Sequence, residues 1–292
     1  MGALDGRVVI VTGAGRGIGR AHALLFAACG ASVVVNDLGG SVDGAPGDAS
    51  TAQQVVDEIA ASGGRAVAST DDVADWDGAY ALVEVAREAF GDVHALVNNA
   101  GILRDRMLFN MSEEEWDTVV NVHLKGHFLP TRHVAAYWRE RAKAGETVPR
   151  AVVNTTSTSG LIGNPGQSNY GSAKAGIAAF TVIAAHELAR YGVRVNAIAP
   201  GARTRMTYLS PGLAELVAPP AEEAAFDSWD PANVAPLAAY LCTTDCAFTG
   251  RVFFVLGGEV RLFAPWSMAE GIEKPGRWTV EELAERLPGL GA

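Results

Sequence analysis

The sequence predicts an α/β fold: a mainly parallel, seven-stranded sheet covered by helices on both faces. Three observations predict it. Short runs rich in β-branched residues alternate with longer stretches of helical period. The strand runs are mainly apolar, as in strands buried on both faces. A glycine-rich turn, Gly13 to Gly19, joins the first strand to the first helix. With 292 residues the chain is long enough for one large domain and short for two.

The elements follow in order. Arg7–Thr12 is a buried strand, Ile18–Cys29 a helix and Ala31–Asn36 a second strand. Thr51–Ser62 is a helix, Arg65–Ser69 a strand, Asp77–Phe90 a helix and Val93–Val97 a strand. Ser112–Arg141 reads as one long helix, opened by a capping box of Ser112 and Glu115. Ala151–Thr155 is a strand, Ser168–Arg190 a helix and Val193–Ala197 a strand. Pro231–Leu241 is helical and Arg251–Leu256 is the seventh strand. Three stretches stand outside this rhythm: Leu38–Ala49, Thr204–Asp230, and a tail, Phe263–Ala292, with a short helix at Thr279–Arg286.

Composition narrows the function classes. Hydrophobic residues make up 49% and charged residues 19%, a soluble globular balance. A net charge of -10 disfavours nucleic acid as a partner. No apolar run is long enough to span a bilayer, and Met1–Gly6 leads into a strand without a secretory leader. A cytoplasmic protein is expected. The three cysteines are an odd, sparse set, so Cys29, Cys242 and Cys246 are read as free thiols. His123 and His127 stand four apart without a third ligand and are read as helix-packing residues, so no metal is expected. Trp229 and Trp266 are read as packing residues.

The turn Thr12-Gly13-Ala14-Gly15-Arg16-Gly17-Ile18-Gly19 lets backbone approach a pyrophosphate at a helix N-terminus. Asp37 closes the second strand, where a carboxylate can accept both adenosine ribose hydroxyls and repel a 2′-phosphate. That favours NAD over NADP. Arg16 argues the other way, as a basic residue able to take the phosphate, but Asp37 should prevail in the same small volume. Tyr170 and Lys174, four apart, share one helix face. An ammonium beside a phenol favours the phenolate and is expected to bring its pKa from about 10 toward neutrality. Tyr170 then serves as general base for alcohol oxidation and as acid in reverse. A hydroxyl just past the fifth strand, among Thr155, Thr156, Ser157, Thr158 and Ser159, could orient the substrate oxygen.

With Asn98-Asn99-Ala100-Gly101 at the end of the fourth strand, these motifs resemble the short-chain dehydrogenase/reductase family over roughly residues 5–260. The resemblance implies a three-layer αβα Rossmann fold over residues 1–262, a substrate loop at about 204–230, and an extension at 263–292. It implies a catalytic tetrad of Asn121, Ser157, Tyr170 and Lys174, with Asn121 linking Lys174 to a water chain. It places Gly13, Arg16, Gly17, Ile18, Gly19, Asp37 and Leu38 on the dinucleotide. Asp72 and Val73 would meet the adenine, and Asn99, Ala100 and Gly101 the ribose. Tyr170 and Lys174 would reach the nicotinamide ribose. Pro200, Gly201, Ala202 and Thr204 would contact the nicotinamide, with Thr207 the alternative to Thr204. A homotetramer or homodimer, paired through the helices at Ser112–Arg141 and Ser168–Arg190, is implied as well.

Within the family, Val34-Val35-Asn36-Asp37-Leu38-Gly39-Gly40, Arg205-Met206-Thr207 and Asn233-Val234-Ala235-Pro236-Leu237 resemble a narrower group. It is the dehydrogenase unit of multifunctional enzyme type 2, also called 17β-hydroxysteroid dehydrogenase type 4. This implies oxidation of a (3R)-hydroxyacyl-CoA, fatty or sterol side-chain, to the 3-keto form with NAD. The alternatives are a hydroxysteroid dehydrogenase, a 3-ketoacyl reductase using NADPH, and a non-enzymatic NAD sensor. No hydratase or sterol-carrier domain and no peroxisomal C-terminal signal is read. Arg104, Arg106, Arg203 and Arg205 are candidates for the CoA phosphate.

Overall fold

The computed structural model describes residues 2–45, 47–209, 215–222, 225–264 and 266–290. Its strands are β1 (Val8–Thr12), β2 (Ser32–Asn36), β3 (Arg65–Ser69), β4 (Ala95–Asn98), β5 (Arg150–Thr155), β6 (Val193–Pro200), β7 (Val252–Leu256) and β8 (Glu259–Leu262). They form one sheet in the order β3-β2-β1-β4-β5-β6-β7-β8. The first seven are parallel, and β8 runs antiparallel to β7. The sheet therefore has eight strands rather than the expected seven. Gly257, at φ +54°, and Gly258 close a two-residue hairpin that returns the chain along β7. The added strand is a solvent-facing edge and lacks the apolar run that marks the others.

Alternate residues of each buried strand face opposite layers, the period-two rule of extended chains. Val9 and Val11 of β1 join Val33, Val35, Val97 and Val153 on one face. That face packs on Phe26 of α1 (Gly17–Ala28), Val55 and Ile59 of α2 (Thr51–Ala61) and Leu241 of α9 (Ala235–Cys242). Val8 and Ile10 join Val34, Leu96, Val152 and Val195 on the other. Leu82 of α3 (Trp76–Phe90), Trp138 of α5 (Gly126–Lys143) and Ala184 of α7 (Ser168–Leu188) cover them. The result is the three-layer αβα arrangement. Strand order reverses between β1 and β4, where the connections leave toward opposite faces. Their C-terminal ends open the crevice in which such sheets bind ligands.

The long helix expected over Ser112–Arg141 is broken. Ser112 caps α4 (Glu113–Val120), and its capping box with Glu115 is present. Asn121–Lys125 is then wound as a π-turn, in which the Gly126 N–H reaches the Asn121 carbonyl, before α5 begins. Pro130 withholds the N–H that would bond the Gly126 carbonyl, so the helix is weakened one turn further on. A π-turn inserts one residue while both flanks stay helical, so a periodic pattern does not reveal it.

Short helices α6 (Thr158–Leu161) and α8 (Arg205–Leu209) precede α9. Within the expected substrate loop, residues 210–214 and 223–224 lie outside those described. In the tail, α10 (Val280–Arg286) is capped by Thr279 and Glu282. Cys242 and Cys246 are buried free thiols, and Cys29 is a partly exposed one. No helix among the described residues is long and apolar enough to cross a membrane.

At the sheet edge opposite the crevice, Arg150 is sealed, with its side chain 3% exposed. Its guanidinium meets Asp92 at 2.7 Å and Glu146 at 3.2 Å, and the Tyr137 hydroxyl donates to Asp92 at 3.0 Å. Burial works to raise the Asp92 pKa, but the Arg150 hydrogen bond and charge bring it below the ordinary carboxylate value. Its contribution to stability is therefore present above the unfolded value of about 4 and lost as pH falls through the lower folded value. Asp92→Ala leaves a buried guanidinium short of a partner and is expected to cost about 3 kcal/mol. Urea unfolding at neutral pH checks this, with an unchanged midpoint as the contrary result. The deficit should narrow in acid.

Candidate active site

The crevice begins at the turn after β1. Gly13 and Gly17 adopt φ +61° and +53°, which residues with a Cβ rarely do. Packing is as demanding as conformation. A Cβ on Gly19 would fall 2.1 Å from the Gly13 carbonyl oxygen and 2.5 Å from the Asn99 amide nitrogen. One on Gly15 would fall 2.4 Å from Thr51 and 2.9 Å from the Asp37 carboxylate. Asn99 fastens the turn to β4. Its side-chain amide donates to the Thr12 and Gly13 carbonyls at 3.0 and 3.1 Å, and its backbone N–H donates to the Thr12 hydroxyl at 2.9 Å. Ala100 N–H shares that hydroxyl at 3.1 Å.

Asp37 lies at the end of β2 with both carboxylate oxygens bonded. It accepts from Gly15 N–H at 2.8 Å and Gly39 N–H at 2.7 Å. Arg16 turns away from the turn it belongs to. Its guanidinium donates to the Thr51 hydroxyl at 2.9 Å and to the Gly39 and Gly40 carbonyls at 3.5 and 3.3 Å. Asp72 is exposed and accepts from Ala74 N–H at 2.8 Å, with Val73 buried beside it. Leu38 is exposed, while Ile18 packs against the core. Pro200 ends β6 and Ala202 is buried behind it. Thr204 lies over Gly17, where an added Cβ would be 3.4 Å from its methyl. The Thr207 hydroxyl donates to the Ala202 carbonyl at 2.9 Å and accepts from Thr204 N–H at 2.6 Å, so it serves the turn.

Ser157, Tyr170 and Lys174 are brought together. Ser157 caps α6, its hydroxyl accepting from Ser159 N–H at 3.1 Å, and it also hydrogen-bonds Tyr170. Lys174, 2% exposed, donates to the Thr155 carbonyl at 2.6 Å. Its Nζ lies 5.5 Å from the centre of the Tyr170 ring. Burial lowers the Lys174 pKa to about 7. Burial also pushes Tyr170 up to about 12; the Ser157 hydrogen bond works downward and Asp105 upward. Burial thus works against the ionised phenol that a neighbouring Lys174 ammonium is expected to favour. Desolvation opposes charge on both groups.

Asn121 does not join this group. Its side chain is exposed and lines a shallow surface groove with Asp117, Leu124 and Phe128. His123 is the residue delivered inward, 1% exposed, with its ring 5.1 Å from that of Tyr170 and perpendicular to it. Two residues along a helix turn a side chain by about 200°, so only one of the two can face the core. The sequence reading set His123 aside as helix packing. The signal that could have found it is its place in a buried stripe with His127 and Thr131.

Three of the four candidate arginines already have partners. Arg104 bonds Glu114 at 3.0 Å, Arg106 bonds Glu115 at 2.9 Å, and Arg203 pairs with Asp227. Arg205 is exposed and carries no ion pair among the described residues. Burial and the charge of Arg16 lower its pKa, while Asp37 raises it, which sets it near the dinucleotide end.

Comparison with known proteins agrees with this geometry. Residues 7–210 match the family of the short chain dehydrogenase. The chain is a short-chain dehydrogenase. It is 46% identical to hydroxyacyl-CoA dehydrogenase ChsB1 of Mycobacterium tuberculosis, over 97% of this chain and 88% of that protein. It is 43% identical to mouse (Mus musculus) peroxisomal multifunctional enzyme type 2, over 88% of this chain and 32% of that longer one. A crystal structure of a short chain dehydrogenase from Mycobacterium avium superposes with a TM-score of 0.87 at 52% identity, covering 98% and 95% of the two chains.

Short-chain dehydrogenases normally use a nicotinamide cofactor. The glycine turn fits one, since added Cβ atoms at Gly13, Gly15 and Gly19 would overlap backbone or the Asp37 carboxylate. Gly19→Ala is therefore expected to weaken nicotinamide dinucleotide binding at least roughly tenfold, because the turn must open to admit the methyl. Fluorescence titration of the dinucleotide measures this, and an unchanged Kd would mean that the turn is not the cradle.

Proposed function

We propose that this dehydrogenase oxidises the secondary alcohol of a (3R)-hydroxyacyl-CoA, fatty or sterol side-chain, to the 3-keto form with NAD. The observation that carries the chemistry is the grouping of Ser157, Tyr170 and Lys174 beside the glycine turn. The substrate class rests on the hydroxyacyl-CoA activity named for the Mycobacterium tuberculosis relative. The stereochemistry rests on the sequence motifs shared with the multifunctional enzymes.

The choice of NAD rests on Asp37. Two backbone N–H groups hold its carboxylate in place, so a 2′-phosphate would meet a fixed negative charge. Arg16 is engaged by Thr51 and two loop carbonyls and has little left to offer that phosphate. Asp72, Val73, Asn99, Ala100 and Gly101 complete the adenosine side of the cradle. Gly201 and Thr204 border its nicotinamide end.

When bound, the dinucleotide supplies the hydride acceptor and, in its oxidised form, a positive charge. Ser157 orients the substrate hydroxyl. Tyr170 accepts the hydroxyl proton as the C–H hydrogen leaves with its electron pair, and the C–O bond becomes a carbonyl. Lys174, fixed by the Thr155 carbonyl, keeps two donors free for the ribose and the Tyr170 side. The exposed Phe128 on α5 and Val182 and Ile183 on α7 support pairing with a second copy across those helices.

Initial rates with NAD and NADP, against (3R)- and (3S)-3-hydroxyacyl-CoA and a 17β-hydroxysteroid, test the reading. Turnover of the (3R) ester with NAD is expected, and turnover confined to NADP or to the steroid would overturn it. Tyr170→Phe should lower kcat by about three orders of magnitude or more while NAD still binds. The sign with pH follows from the base: oxidation should rise with pH as the phenol ionises, and reduction should fall. With Tyr170 at about 12 before the dinucleotide binds, the rising limb should lie at alkaline pH.

A further inference from the structure

Arg205 differs from the other arginines at the crevice in that the fold makes no use of its guanidinium. It opens α8 and is exposed, with no ion pair among the described residues. Its neighbours are committed. Arg16 donates to the Thr51 hydroxyl and to the Gly39 and Gly40 carbonyls. Arg203 pairs with Asp227 and donates to the Val217 carbonyl at 3.0 Å. An arginine left free in a chain of net charge -10, where carboxylates outnumber cations, stands out.

The backbone that carries Arg205 is held even though its side chain is not. The Thr207 hydroxyl bonds the Ala202 carbonyl and the Thr204 N–H, and the Tyr208 N–H reaches the Thr204 carbonyl at 3.1 Å. Thr204 lies over Gly17, the first residue of α1. The Arg205 side chain therefore starts beside the N-terminus of that helix. Charge places its far end: burial and Arg16 act against the guanidinium, and Asp37 acts for it. Asp37 is no ion-pair partner, since both its oxygens already accept backbone N–H groups. Two guanidiniums brought near each other repel unless an anion joins them.

The same opening lacks negative charge of its own at α1. That helix has 12 residues, takes no side-chain cap from Arg16 and carries no acidic residue in its first turn. Its leading N–H groups are left for an outside acceptor. Thr204 borders the nicotinamide end of the cradle and Asp37 the adenosine end, so a side chain running from one toward the other crosses the place of the diphosphate that joins them. We propose that Arg205 binds the diphosphate of the dinucleotide from the α8 side, its guanidinium fork on the phosphate oxygens while the glycine turn supplies N–H groups. Arg205 is thereby assigned to the cofactor rather than to the CoA phosphate. The inference rests on the reading of the glycine turn as a nicotinamide dinucleotide cradle and adds the side chain that closes it.

Calorimetric titration without substrate tests this. Arg205→Gln, polar but uncharged, is expected to raise the Kd of NAD and of ADP-ribose roughly tenfold or more. Adenosine, which has no phosphate, should compete with unchanged affinity. Arg205→Lys keeps the charge without the fork and should recover part of the loss. The urea midpoint should not move, because the guanidinium holds no ion pair in the fold. An unchanged Kd for NAD in Arg205→Gln overturns the proposal. So does a loss confined to NADP, which would put Arg205 on the 2′-phosphate, or one confined to the KM of the hydroxyacyl-CoA, which would put it on the CoA phosphates. Adenosine weakened as much as NAD also overturns it, since the turn itself would then have changed. Wild-type protein that binds neither NAD nor ADP-ribose removes the cradle reading and the inference with it, whereas NAD binding untouched by Arg205→Gln removes the inference alone.

Discussion

Everything at the crevice depends on how closely β1 and β4 approach where their chains part. Thr12 and Asn99 hold that point. The Thr12 hydroxyl accepts from the N–H groups of Asn99 and Ala100, and the Asn99 amide donates back to two carbonyls of the turn. The fit leaves no room for a Cβ at Gly13, which would come within 2.7 Å of Ala100. The first helix therefore starts where its exposed N–H groups face the same opening as the ends of β4 and β5.

A second set of buried bonds registers the catalytic helix on that edge. Asn98 donates to Asn154 and to Thr131, each at 2.9 Å, tying β4 to β5 and α5. Asn154 donates to Thr181 of α7 at 2.9 Å. Thr156 donates to the Lys174 carbonyl at 2.6 Å, and the Lys174 side chain returns to Thr155. Buried polar groups are costly to separate from their partners, so these bonds favour one position of α7 along the sheet. Tyr170 and Lys174 inherit their placement from it.

Most of this was legible in the sequence, for identifiable reasons. The central parallel strands β1, β2 and β4 carry runs of apolar residues because both faces are covered, and that signal is local. The glycine turn is legible because its close approaches exclude any other residue. β8 was missed although Gly257-Gly258 is a hairpin signal, because Glu259–Leu262 is exposed and carries no core pattern. The π-turn was invisible: it changes which residue faces inward without interrupting helical composition. Asn121 rests on the family motif, whereas the side chain that the fold turns inward there is His123. The phenol's environment is not legible from spacing either. Spacing shows that Lys174 is near Tyr170, but only the packed structure shows that Lys174 is buried and Tyr170 half-buried.

The carboxylate at Asp37 has a double duty that bears on how such a protein can change. It bonds Gly15 inside the glycine turn and Gly39 in the loop beyond β2, so it is a strut between two segments of backbone as well as a charge facing the cradle. Exchanging it to admit a different dinucleotide would loosen the turn in the same stroke. Cofactor preference and local architecture are therefore inherited together. A lineage, or an engineer, altering one must first supply another brace for Gly15.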